Sequence, residues 1–210
     1  MQQGVRPMAR RKEHSHDEIR AMAVEAAMAL LQQQGTQELS LRKIASQIGY
    51  VPSTLINIFG SYNYLLLAVS EATLQALMHE LSEVNAENSR NQIISMAQKY
   101  AEFAHAQRQC FKLVFELQLL DSEPLPESQG QLIAGLFSLI ERELALLFPH
   151  KTAEQQLQMS RVLWGGIHGL TALSLDNKLF ADTASLPALL ESHVTGYLQG
   201  MGYQREASCC

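Results

Sequence analysis

The chain has 210 residues, of which 47% are hydrophobic, and its 16 Lys and Arg residues stand against 21 Asp and Glu residues for a net charge of −5. This length fits a small domain joined to a larger one, and the acidic balance argues against a protein that coats nucleic acid indiscriminately. The charge is uneven, because residues 1–62 hold seven basic and five acidic residues, net +2, whereas residues 63–210 hold nine and sixteen, net −7.

A cluster of cations precedes the first predicted helix. It consists of Arg6, Arg10, Arg11 and Lys12. A flexible basic arm over residues 1–14 could reach a groove or phosphates, although a solubilising tail has the same composition. No signal peptide is predicted, because Met1–Lys12 lacks an apolar core. The longest apolar stretch, Val162–Leu175, is too short for a membrane helix, so we expect a cytoplasmic protein without a membrane partner.

The N-terminal part predicts one helix followed by two short ones. The first begins at a capping box formed by Ser15 and Glu18 and ends at Gly35. Gly49 can adopt a positive φ and reverse the chain between the two short helices, and Pro52 fits the first turn of the second. The first short helix places its apolar residues on one face, at Leu41, Ile44, Ala45 and Ile48.

The second short helix is predicted to bury Leu55, Ile58 and Phe59. This leaves small polar side chains on its outer face, at Ser53, Thr54 and Asn57. Such side chains suit contacts with base edges and phosphates, so the pair of helices is interpreted as a helix-turn-helix. The alternative is an ordinary helical hairpin with a solvated second helix.

The rest of the chain shows helical periodicity and no alternation typical of strands. A long helix is predicted to follow Ser61, and a loop is predicted at Asp121–Pro126 because both of its prolines oppose helix continuation. The remaining predicted helices are Asn91–His105, Arg108–Leu120, Leu132–Phe148, a helix capped by Thr152 that runs to Leu175, and Pro187–Gln199.

From Ile19 to Leu67 the chain resembles the tetracycline-repressor (TetR) family of bacterial transcriptional regulators. The most specific matches are Leu41-Arg42-Lys43-Ile44-Ala45, Gly49, Pro52, Thr54-Leu55 and Phe59-Gly60-Ser61. A weaker similarity lies at Trp164–Gly169, which resembles the Trp/His-Gly helix of one TetR subgroup. The resemblance implies an all-α protein with a DNA-binding domain at 15–62, a ligand-binding and dimerisation domain at 63–203, and a mobile tail at 204–210.

The function implied by the resemblance is that of a repressor. A homodimer would bind a pseudo-palindromic operator in double-stranded DNA and be released by a small apolar ligand. The candidate DNA contacts are Arg10, Arg11, Lys12, Ser40, Arg42, Lys43, Ser53, Thr54, Asn57 and Tyr62.

Four positions depart from the family pattern. Val51 stands where a Ser or Thr usually caps the second helix, and Tyr62 stands where a Lys commonly reaches a phosphate. Ile56 and Ile58 replace residues that are often Tyr or His. Because such changes weaken docking on DNA, an alternative function stays open: a helical ligand- or partner-binding module whose helix-turn-helix has lost most of its DNA affinity.

The last two predicted helices are more apolar than one inward face requires. Glycines within a helix also favour close approach of another helix. A four-helix dimer interface would account for both features, and a thick intramolecular core is the alternative. The candidate interface residues are Gly165, Gly169, Leu173, Leu190 and Val194.

Aromatic residues in several helices could converge on one ligand cavity. The candidates are Tyr100, Phe103, Phe111, Phe115, Phe137, Trp164 and His168. Aromatic residues at helical spacing are often plain core, and His168 alone is compatible with a satisfied core or interface histidine. The chain shows no metal-ligand spacing, no phosphate-binding loop and no nucleophile motif, so we expect no cofactor and no enzymatic activity.

Overall fold

The computed structural model describes residues 14–119, 124, 126–179 and 185–204. Over these residues the regular structure is entirely helical, which confirms the predicted all-α class. One 3-10 turn, Thr36–Glu38, follows the first helix. The α-helices of the described ranges are α1 (His16–Gln34), α2 (Leu41–Gln47), α3 (Pro52–Phe59), α4 (Tyr62–Ser82), α5 (Ser89–Ala106), α6 (Arg108–Glu116), α7 (Glu127–Leu147), α8 (Ala153–Leu175) and α9 (Leu186–Gly200).

The chain forms two compact units that divide between Leu66 and Leu67, within α4. In the first unit, which we call the head, α1 packs against both α2 and α3. The capping box predicted for α1 is present, because the backbone N–H of Glu18 donates to Ser15 Oγ and that of Ser15 donates to the Glu18 carboxylate. The buried face of α1 is the predicted one: Ile19, Ala23, Ala26, Ala27, Leu30 and Leu31.

The second unit is built around α5, which packs against α6, α7, α8 and α9. Nearly every buried residue of α5 is apolar, and together with α8 and α9 this helix supplies most of the core. The capping box at Thr152 and Gln155 starts α8 as predicted. None of the helices in the described ranges is long and apolar enough to cross a membrane.

Two predicted helix boundaries are wrong. Helix α7 begins at Glu127, five residues before the predicted Leu132, because Pro126 has the extended backbone of an N-cap and the polar first turn needs no apolar partner. Helix α6 ends at Glu116 and not at Leu120, since Leu117 already has an extended backbone. The basic cluster at residues 6–12 and the tail after residue 204 lie outside the described residues.

Candidate functional site

The turn between α2 and α3 has the geometry that the sequence predicts. Gly49 has a φ of 77°, and the next N–H, from Tyr50, donates to the carbonyl of Ala45 over 2.9 Å. This closure satisfies a carbonyl at the end of α2 and reverses the chain. Helix α3 then begins at Pro52, whose missing N–H is not needed in a first turn.

Helix α3 is anchored in the head by one face and open on the other. Leu55 and Phe59 are buried, and the guanidinium of Arg20 from α1 lies 4.6 Å from the centre of the Phe59 ring. Ser53 and Asn57 are exposed. On the same helix, Thr54 and Ile58 are half-buried, and Ile56 is 37% exposed.

The cations and hydroxyls near α2 are partly engaged within the head. Ser40 caps α2 by accepting a hydrogen bond from the backbone N–H of Lys43. The Lys43 ammonium lies 2.5 Å from a carboxylate oxygen of Glu38, and this hydrogen-bonded pair holds the pKa of Glu38 below its usual value. Arg42 is exposed, whereas Tyr62 is half-buried and burial raises the pKa of its phenol.

The start of α3 has no side-chain cap, whereas His14, two residues before α1, is held by a side-chain hydrogen bond. Val51 precedes Pro52 and gives no side-chain cap to α3, as its apolar side chain predicts. His14, in contrast, forms a 2.8 Å hydrogen bond between its Nδ1 and the Tyr50 hydroxyl. The sequence analysis missed this contact, which joins residues 36 positions apart. The predicted contacts Arg10, Arg11 and Lys12 lie outside the described residues.

The second unit contains a cavity of about 240 Å³ among α4, α5, α6, α7 and α8. Four of the seven predicted aromatic residues line it: Tyr100, Phe115, Phe137 and Trp164. Aliphatic side chains supply almost all of the remaining wall, and none of the described residues that line the cavity is charged. A cavity of this kind accepts an apolar molecule or an apolar part of one.

The other three predicted residues do not line the cavity. Phe111 and His168 lie behind its wall, where His168 stacks on Trp164 with ring centres 5.0 Å apart. Phe103 is 8% exposed and belongs to the core of the second unit. These three residues therefore lie outside the wall of the cavity, because aromatic periodicity does not distinguish a wall residue from one that supports it.

The Tyr100 hydroxyl of the wall is paired with His168, which lies behind the wall. The Tyr100 hydroxyl is 2.9 Å from His168 Nδ1. Burial raises the pKa of the Tyr100 phenol far above its usual value, and the neighbouring Trp164 side chain opposes this only in part. Burial also lowers the pKa of His168. Both groups are therefore neutral near pH 7.

Phe137 is held in the wall by an ion pair that the sequence analysis missed. The guanidinium of Arg161 lies 3.5 Å from the centre of the Phe137 ring, and its Nη1 donates to Glu141 over 2.8 Å. Ser160 donates to the same carboxylate oxygen over 3.0 Å. These contacts tie α7 to α8 and fix the ring that meets Trp164 edge-on.

A further wall residue missed from the sequence is Gln129, in the first turn of α7. It is 6% exposed, and its Oε1 has no hydrogen-bond partner among the described residues. The signal for it was available, because Gln129 shares one face of α7 with the wall residues Ile133, Leu136 and Ile140. The sequence analysis missed this shared face because it predicted that α7 begins at Leu132, after Gln129.

An apolar seam runs along the outside of α8. Gly165 and Gly169 have open space where a Cβ would lie, and they are flanked by Val162, which is 54% exposed, and Leu173, which is 44% exposed. The spacing of three, four and four residues places all of them on one helix face. We call these four residues the α8 seam.

Two other predicted interface residues lie elsewhere. Leu190 and Val194 are fully buried in the core of the second unit, so they present no surface to a partner chain in this structure. Their place on α9 faces α5 and α8, which explains why they are apolar. The third helical glycine, Gly166, also faces inward, since an added Cβ would lie 2.1 Å from His193 Nε2.

Among the described residues, no group of three or more His, Cys, Asp or Glu side chains is placed to hold a metal ion.

Comparison with known proteins identifies both units. The family model described as "Bacterial regulatory proteins, tetR family" matches residues 23–69, and that described as "Tetracyclin repressor-like, C-terminal domain" matches residues 93–197. No curated protein matches the chain. The membership of the Trp/His-Gly subgroup stays a prediction.

Several solved structures have a similar fold. A Rhodococcus sp. RHA1 protein of unknown function is 19% identical, with a TM-score of 0.73 over 90% of this chain and 97% of that one. The TetR-family repressor FadR of Thermus thermophilus, solved with lauroyl-CoA, is 21% identical, with a TM-score of 0.62 over 91% and 98%. RolR, solved with resorcinol, is 16% identical, with a TM-score of 0.63 over 90% of each chain.

At these identities the structural likeness shows the fold, and the family is shown by the two sequence matches. Regulators of this family bind DNA and small-molecule ligands, act as dimers and are not enzymes. The chain belongs to the TetR family of transcriptional regulators.

Proposed function

We propose that this regulator is a repressor whose dimer binds a pseudo-palindromic operator and leaves it when a small, mainly apolar ligand enters the cavity of the second unit. The observation that carries the proposal is the cavity of about 240 Å³, lined by aromatic and aliphatic side chains, in a chain whose head contains a helix-turn-helix. The relatives solved with lauroyl-CoA and resorcinol support a ligand with substantial apolar surface.

The reading surface is the outer face of α3. Ser53 and Asn57 are exposed there, and Thr54 lies beside them at half burial. In a helix-turn-helix dimer two such helices enter successive major grooves, so the operator has two related half-sites. Arg42 and the cations of residues 6–12 would add contacts to phosphates. Because its target is bacterial DNA, we place the protein's action in the cytoplasm.

The dimer is proposed to form through the α8 seam. Val162 and Leu173 expose apolar surface on either side of two glycines that offer no side chain. A helix of a second copy can therefore approach closely along Gly165 and Gly169 while it covers the two apolar residues. This arrangement replaces the predicted contribution of Leu190 and Val194.

A second candidate is a ligand- or partner-binding module with little DNA affinity. It is favoured by the weak start of α3, where Val51 gives no cap, and by the engagement of Lys43 with Glu38. A missing N-cap typically costs about 1 kcal/mol. The half-burial of Tyr62 also limits its reach to a phosphate.

A mobility-shift titration separates the two candidates. The DNA is the region upstream of the protein's own gene, and a scrambled duplex of equal length is the control. The repressor proposal expects tighter binding to the upstream region and a steep loss of affinity between about 50 and about 200 mM salt. Equal, weak binding to both duplexes at low salt would favour the second candidate.

A further inference from the structure

Two buried glutamines in the second unit have opposite hydrogen-bonding states. Gln92, in α5, is 9% exposed, and its Nε2 donates to the carbonyl of Val84 over 2.6 Å. Gln129, in α7, is 6% exposed, lines the cavity, and has an Oε1 with no partner in the described part of the chain. A buried carbonyl oxygen without a donor is costly, so native proteins rarely keep one without a use.

None of the polar groups in the described part of the wall donates a hydrogen bond to Gln129 Oε1. The Tyr100 hydroxyl, which also belongs to the wall, is hydrogen-bonded to His168 Nδ1. The remaining lining residues are apolar. Among the described side chains, Gln129 Oε1 is the buried polar atom that has no hydrogen-bond partner, and the residue that carries it belongs to the wall.

The wall also restricts the charge of what it can hold. None of its described lining residues is ionisable near pH 7, and an unpaired charge buried among apolar side chains is strongly unfavourable. A carboxylate would in addition bring its negative charge to the carbonyl oxygen of Gln129. The buried part of the ligand is therefore neutral.

We infer that the cavity selects a neutral, mainly apolar molecule with one hydrogen-bond donor, such as an alcohol or a phenol, and that this donor binds Gln129 Oε1. The inference rests on the proposed function, since it names the ligand class of the same cavity. Under this inference, Gln129 distinguishes ligands that have a hydrogen-bond donor from those that have none. The apolar wall contributes affinity for both kinds of ligand.

Two isomeric probes test the inference. Octan-1-ol and 1-methoxyheptane have the same atoms and nearly the same shape, but only the alcohol can donate a hydrogen bond. Trp164 is the single tryptophan of the chain and lines the cavity, so its fluorescence reports occupancy directly. The full-length dimer is titrated with each probe. We expect the alcohol to bind about three- to tenfold more tightly, as one net hydrogen bond implies.

The variant Gln129→Leu should abolish this preference, because it removes the acceptor and keeps a side chain of similar volume. The matched control is Gln92→Leu, which removes a buried glutamine that is not part of the wall. It should keep the preference for the alcohol. The two variants should also differ in thermal unfolding without ligand: Gln129→Leu should raise the Tm, and Gln92→Leu should lower it because Val84 loses its donor.

The outcomes distinguish this inference from the proposed function. Equal binding of both probes to the wild type, or a preference that survives in Gln129→Leu, would overturn the inference and leave the apolar cavity in place. A lowered Tm of ligand-free Gln129→Leu would also overturn it, because Gln129 would then have a structural partner. If neither probe changes Trp164 fluorescence up to its solubility limit, the cavity itself does not bind ligands and both proposals fail.

Discussion

The proposed DNA-binding site lies on the surface of the head, whereas the proposed ligand-binding site lies between the helices of the second unit. In the head, the site is the outer face of a short helix, formed by side chains that make few contacts within the unit. In the second unit, it is a cavity between helices whose wall is held by several helices and by contacts such as that between Tyr100 and His168. The outer site is suited to a partner that approaches from solvent, and the inner site to a molecule that must lose its water.

This difference predicts how each site responds to mutation. Substitutions on the α3 face should change DNA binding and leave the folding of the head nearly unchanged, because the side chains that they shorten are exposed or half-buried and lie outside the core. Substitutions in the second unit should couple stability to binding, since wall and core are built from the same helices. The α8 seam is the exception in the second unit, because it lies outside the core.

The largest effect is expected from Gly169→Leu in the α8 seam. Open space surrounds Gly169 in the single chain, so the leucine should leave each subunit folded while it wedges the partner helix away. Loss of the second reading head should reduce operator affinity by about 10²–10⁴-fold. Sedimentation analysis and a mobility shift check both effects. Ala134→Leu, on the exposed side of α7, is the control and should remain dimeric; a dimeric Gly169→Leu protein would contradict the seam.

A smaller effect is expected from the double variant Thr54→Ala and Asn57→Ala on α3. Each lost base contact should cost about 1–3 kcal/mol of operator binding, with an unchanged Tm of the head. The control is Ser128→Ala with Gln131→Ala, which has the same spacing on the exposed surface of α7. Operator affinity equal to that of the wild type would show that this face does not read DNA.

The packing inside the second unit is tested by Gly166→Ala. The added Cβ would overlap the His193 ring, whose Nε2 donates to the Leu163 carbonyl, so we expect a loss of about 1–3 kcal/mol in unfolding free energy. Gly130→Ala, where a Cβ meets nothing within 4 Å, is the matched control and should not destabilise the protein. Denaturant titration measures both. Equal stability of the two variants would contradict the close approach of α8 and α9.

The smallest expected effect is a pH dependence from His168. Burial lowers its pKa in the folded protein, so folding favours the neutral ring. Its contribution to stability is complete above the ordinary value of 6.5 and falls as the pH drops below it. The wild type should therefore lose more unfolding free energy than His168→Asn between about pH 7.5 and about pH 5.5. Parallel curves for the two proteins would show that His168 is not desolvated.

The contrast between the units also explains what could be predicted from the sequence. The buried face of α1, the glycine turn after α2 and the polar face of α3 could be predicted because they follow from local rules. These rules are the period of a helix, the preferences of capping residues and the freedom of glycine to adopt a positive φ. Which aromatic residues line a cavity depends on where four or five helices meet. Phe103 and Phe115 have equivalent local patterns, yet only Phe115 reaches the cavity.

The same reason accounts for the errors on α8 and α9. The glycines and apolar residues indicated two packed surfaces, but the sequence could not assign each residue to its surface. Gly166 and Val194 face the core, whereas Gly165 and Val162 face outward. Gln129 was missed because the helix was predicted to begin only at Leu132, three residues after it.

The most direct test of the account is a measurement of coupling between the two sites. The affinity of octan-1-ol for the dimer is measured by Trp164 fluorescence with and without a saturating duplex from the gene's upstream region. Linkage requires that a ligand which releases DNA binds more weakly when DNA is present, by the same factor as the ligand weakens DNA binding. We predict at least about a fivefold weakening, the lower end of typical coupling. An unchanged alcohol affinity on a duplex that remains bound would contradict the account.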